Sequence, residues 1–125
     1  MREIKFRAWH SGANNSLGKN IFPPQMLYDK WNGECFRFAE EGQPVEIMQY
    51  TGLTDKNDQD IYEGDIISFL YNRKITILPV AWGVDGWWAK GRGWYKSLYA
   101  VKNTAEVIGN IYENANLLEA TNAAN

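Results

Sequence analysis

Reactive side chains are scarce in this chain. Its 125 residues include one cysteine, Cys35, and one histidine, His10. A single thiol excludes an intrachain disulfide and a multi-cysteine zinc site, and it favours a reducing compartment. One histidine leaves few combinations for nucleophilic chemistry, which needs a base beside the nucleophile. His10 stands between an alternating segment and a Ser/Asn/Gly loop, so it reads as a solvent-facing loop residue. Cys35 precedes Phe36 in an expected strand and reads as a buried, inert thiol. Long apolar runs are missing too. No stretch approaches the roughly 18 residues that span a bilayer, and Met1 to Arg7 alternates charged with apolar residues, unlike a signal peptide. The expectation is a soluble, cytoplasmic protein with no membrane partner. Helical periodicity is equally sparse: only residues 113–120, with Leu117 and Leu118, suit a short helix.

What the chain does have is aromatic residues, with six Trp and seven Tyr. Disordered chains are poor in such residues, so most of this one is expected to fold. Met1 to Trp9 alternates with period two, placing Ile4, Phe6 and Ala8 on one strand face and Lys5, Arg7 and Trp9 on the other. Residues 10–25 are turn formers, hence a loop. Met26 to Tyr28 and Cys35 to Phe38 then flank Asn32-Gly33, a strong hairpin signal. Val45 to Leu53, Ile61 to Tyr71, Lys74 to Trp82, Trp87 to Ala89, Trp94 to Val101 and Val107 to Tyr112 complete the strands. Pro79 lacks a donor and marks an edge or a bend. Closely spaced short strands with Gly-rich turns predict a mainly β fold: an N-terminal β-rich portion over 1–44, a small β-barrel over 45–120 and a frayed tail over 121–125.

The segment Thr51 to Asp65 places polar turn formers between apolar runs and reads as strand, turn, strand, with a bulge or bend at Glu63-Gly64-Asp65. Its acids Asp55, Asp58, Asp60, Glu63 and Asp65 invite a metal reading. An EF-hand loop begun at Asp55 needs Gly at position six and Glu at twelve, where this chain has Asp60 and Ile66. The run reads instead as a solvated hairpin tip. No phosphate-cradling loop or dinucleotide fingerprint is present, so no cofactor, no metal and no catalytic residue is assigned. Charge is uneven along the chain. Residues 29–65 carry ten acids against three bases, whereas 66–105 carry six bases against Asp85 alone.

The binding candidates lie in that basic stretch: Trp82, Trp87, Trp88, Lys90, Arg92, Trp94, Tyr95 and Lys96. Trp, Tyr and Arg dominate protein–protein hot spots, and aromatic faces with nearby cations also hold single-stranded nucleic acid. Against both stands core filling, and of adjacent Trp87 and Trp88 a strand points only one inward.

Five blocks occur in order: Met1-Arg2-Glu3-Ile4-Lys5-Phe6-Arg7-Ala8-Trp9, Met26-Leu27-Tyr28-Asp29, Met48 to Asn57, Ile61-Tyr62-Glu63-Gly64-Asp65-Ile66-Ile67, and Val107 to Asn114. Together they resemble the YopX family, small proteins encoded by bacteriophages and prophages. The resemblance implies an SH3-like β-barrel in the C-terminal part and no assigned activity. The chain departs from the pattern at His10, in the long 10–25 loop, at Asp58 in place of a turn Gly, and at Ala115-Asn116. Asp58 is expected to take positive φ, costing about 1 kcal/mol. The functional expectation is a non-enzymatic module that binds a host or phage protein through the aromatic and basic patch. A nucleic-acid-binding barrel and an inhibitor of a host defence enzyme are the alternatives, and pairing of strand edges between copies would give a homo-oligomer.

Overall fold

The computed structural model describes residues 4–14, 20–29, 34–83, 85–91 and 93–118. The chain divides into two compact units, Met1–Tyr50 and Thr51–Asn125. It is mainly β with little helix, as the strand-rich sequence requires.

In the first unit, β1 (Phe6–His10) lies between β4 (Gln25–Tyr28) and the first half of β5 (Val45–Thr54), antiparallel to both. Ala8, opposite Leu27 on one side and Ile47 on the other, is fully buried. Two short strands, β2 (Ala13–Asn14) and β3 (Asn20–Phe22), pair within the segment expected to be loop. Two further expectations fail here. His10 is not a loop residue: it ends β1, is fully buried, and lies 2.8 Å from Gln43 Oε1 through Nε2, while its Nδ1 accepts the Gly12 N–H at 3.0 Å.

Residues 35–38 are not a strand but part of helix α1 (Glu34–Glu40). The reason lies downstream, where Gly42 at φ 78° donates to Ala39 O at 3.0 Å and Gln43 donates to Phe38 O at 3.1 Å. That pair of bonds around a left-handed glycine closes a helix C-terminus. The helix packs Phe36 edge-on against Phe6 at 4.8 Å. Cys35 is buried, as expected, with its thiol 3.6 Å from the Leu27 carbonyl. The Asn32-Gly33 turn lies outside the described residues.

In the second unit, β6 (Asp60–Tyr62) is the neighbour of β5, and a turn at Glu63-Gly64 sends the chain into a different sheet. That sheet has five strands in the order β10 (Tyr95–Ser97), β9 (Trp87–Lys90), β8 (Lys74–Trp82), β7 (Asp65–Tyr71) and β11 (Glu106–Asn110). Alternation sorts the residues by face. Ile67, Phe69, Val80, Trp87 and Ala89 enter the core beside Ile61, Leu98, Val101 and Ala105. Pro79 marks the point at which β8 gains its second neighbour. Val80 directs its carbonyl toward Gly64, 2.9 Å away, so Pro79 turns its nitrogen to the other side, where the register with β9 runs only over Val80–Trp82. The expected strand 94–101 is instead β10 followed by the short helix α2 (Leu98–Val101), which buries Leu98 and Val101 at a spacing of one turn. A helical turn over 116–118 falls within the predicted 113–120 helix.

Candidate binding groove

The adjacent tryptophans of β9 part as strand geometry demands. Trp87 is 9 % exposed and belongs to the core, whereas Trp88 lies on the outer face opposite Ala81. The β8–β9 hairpin closes through Gly83 N–H to Gly86 O at 2.7 Å. A side chain at Gly83 would collide with the Trp88 indole, so the absence of a Cβ lets the ring lie against the turn. On its other side Tyr95 meets Trp88 edge-to-face at 4.8 Å. Held from two directions, Trp88 is a rigid wall.

Around it opens a pocket of about 370 Å³. Trp88 and Tyr95 provide its aromatic wall, Ala81 and Gly83 line its floor, and Asp85 and Lys90 supply its charge. Trp82 borders it, but pairs in register with Trp87 and packs edge-on against that core ring at 4.8 Å, on the face opposite Trp88. Tyr95 is 59 % exposed, so much of this aromatic wall faces solvent. Neither Asp85 nor Lys90 is ion-paired among the described residues.

The other candidates part company with the groove. Lys96 pairs in register with Ala89, which puts it on the face opposite Lys90, and its ammonium sits 4.5 Å over the Tyr71 ring. Trp94 stacks on the same Tyr71 at 5.5 Å and covers Gly91. These two side chains tie the β9–β10 hairpin to Tyr71 at the end of β7. Arg92 lies outside the described residues. Asp85 was missed from the sequence because a turn acid shows no sign of where its side chain projects. Tyr71 was missed because it reads as the ordinary end of a strand.

The blocks that carry the family resemblance have a different job. The acidic run is not a solvated tip throughout. Asp58 is exposed, but Asp55 and Asp65 are buried. Asp55 Oδ1 accepts the Asn57 and Gln59 N–H groups at 2.8 and 3.0 Å, and its Oδ2 accepts Val107 N–H at 2.9 Å. Asp65 Oδ2 accepts Tyr62 N–H at 2.7 Å, bracing the turn between sheets. At the other end of the motif set, Asn110 Oδ1 accepts the Tyr112 and Glu113 N–H groups at 3.0 and 2.9 Å. Asn114 Oδ1 accepts Asn110 N–H at 3.2 Å. Buried acceptors that satisfy backbone donors are scaffold chemistry.

A family model described as YopX protein matches residues 5–119, and the chain belongs to that family. It is similar in fold to the crystal structure of protein EF1440 from Enterococcus faecalis, with a TM-score of 0.56 and 23 % identity over 94 % of this chain and 99 % of that one. No curated protein matches. Among the described residues, no helix is long and apolar enough to cross a membrane.

Proposed function

We propose that this chain is a non-enzymatic binding module, of phage or prophage origin, that holds a host or phage protein in the groove beside Trp88. The observation that carries this reading is the solvent-facing ring of Tyr95 against a Trp88 already fixed by Gly83. Rigid rings give contact area at little entropic cost, and Trp and Tyr are enriched at interface hot spots. The buried His10 and Cys35 are each engaged by backbone or side-chain partners of the fold, which fits a structural role for both.

The arrangement of cations supports protein over nucleic acid. A phosphate track needs cations aligned along one groove, but Lys90 and Lys96 occupy opposite faces and Asp85 shares the groove with Lys90. Affinity capture from host cells with wild type, Trp88→Ala and Trp94→Ala tests the reading. A specific protein is expected to be lost with Trp88→Ala and kept with Trp94→Ala. Capture indifferent to Trp88 overturns the proposal. So does oligonucleotide binding with a salt slope that falls on Lys90→Gln, which would install the nucleic-acid reading instead.

A further inference from the structure

The groove combines three features: exposed ring surface, one carboxylate and one ammonium, the last two without ion-pair partners among the described residues. Both charges are exposed and hydrated, so an occupant that brings both signs can exchange that water for charge-assisted hydrogen bonds beside the rings. Resting on the protein-binding reading above, we infer that the groove receives an extended peptide segment of the partner that carries an arginine for Asp85 and a carboxylate for Lys90.

Arginine fits the first position better than lysine for a physical reason. Its planar guanidinium stacks on aromatic faces while donating two parallel hydrogen bonds to a carboxylate. The groove offers both halves of that recognition, rings at Trp88 and Tyr95 and a carboxylate at Asp85. Lysine is a hydrated point charge and uses only one of them well.

The spacing follows from strand geometry. Trp88 and Lys90 project from the same face two residues apart on β9, a separation of about 6.6 Å at strand rise. Asp85 lies on the other side of Trp88 in the hairpin loop. An extended peptide advances by the same rise, so its arginine and its acid stand about two to four residues apart. The unmatched alternatives fit less well: an all-basic peptide meets Lys90, and an all-acidic one meets Asp85.

A random twelve-residue peptide library displayed on phage, selected against wild type and counter-selected against Trp88→Ala, provides the test. Enriched peptides are expected to share an arginine with an acid two to four residues away. For one such synthetic peptide, Asp85→Asn is expected to weaken binding about tenfold, and replacing the peptide's arginine with citrulline to do the same. Once Asp85 is Asn, the citrulline change is expected to add little, because the two alterations remove one interaction. Lys90→Gln is expected to remove the preference for the acid alone. Trp88-dependent peptides without that charge pattern, or an Asp85→Asn effect additive with citrulline, overturn this inference and leave the protein-binding reading standing. Recovery of no Trp88-dependent peptide counts against both, and the capture experiment then separates them: a protein held through Trp88 preserves the binding reading and rejects the extended-peptide form.

Discussion

Asp55 Oδ2 accepts the backbone N–H of Val107 at 2.9 Å, joining the tip of one hairpin to strand β11 across 52 residues of sequence. The same carboxylate organises its own turn through Oδ1. Local turn and long-range strand therefore depend on one side chain. Lys56 reinforces the link, its N–H donating to Ala105 O at 2.9 Å.

Removing that carboxylate should be costly. Asp55→Ala leaves three backbone donors without their acceptor; hydrogen bonds to charged groups contribute about 1.5–3 kcal/mol each net of water, and water can take over at exposed Asn57 and Gln59. The expected loss is about 3 kcal/mol or more, measured by urea denaturation. Asp55→Asn can keep an oxygen toward the turn but then sets an NH2 against Val107 N–H, so it is expected to recover only part of the loss.

Asp58 makes the opposite case. It holds φ at 61°, a region that costs a residue with a Cβ. Asp58→Gly relieves that cost while loosening the unfolded chain, for a net gain of about 0.5 kcal/mol in the same denaturation experiment. The turn's hydrogen bonds run through Asp55 and the Asp58 backbone, so they survive the change.

Trp87 and Trp88, neighbours in sequence, should separate cleanly under mutation. Trp87→Ala empties part of the core and is expected to cost about 3–5 kcal/mol. Trp88→Ala removes a half-buried outer ring and should cost about 1 kcal/mol while abolishing partner binding. Thermal melts alongside the capture assay report both.

Cys35 is 1 % exposed, which shields its thiol. An aromatic disulfide reagent should react with it only as fast as the protein opens, and the rate should rise with urea. Immediate reaction in buffer would contradict its burial.

Much of the fold was legible because it rests on local codes. Strand β8 runs over the predicted Lys74–Trp82, since alternating β-branched residues bounded by Arg73 and Gly83 leave little choice. The division between Trp87 and Trp88 follows from period two, and Asp58 takes the positive φ expected of the residue standing in for a turn glycine. Helix α1 was not legible from Cys35 to Phe38, where an aromatic-rich run mimics a strand. Its signal lay beyond the run, in Gly42 as a helix terminator. His10 was misplaced because a polar residue before a Gly/Asn loop looks exposed, whereas Gln43, 33 positions away, supplies its buried partner.

The candidate site was partly legible for a similar reason. Sequence shows that Trp82 to Lys96 is rich in rings and cations, and strand alternation divides them between faces. It does not show that Tyr71 claims Trp94 and Lys96, or that Asp85 joins Trp88 and Lys90 at one groove. Those facts depend on which strands lie side by side.

The most direct test of the groove is a titration of ¹⁵N-labelled protein with a selected arginine-bearing peptide, following the indole N–H signals. The account predicts that the Trp88 signal shifts in a saturable way while Trp94, stacked on Tyr71, stays in place. A saturable shift at Trp94 with Trp88 unmoved would contradict it.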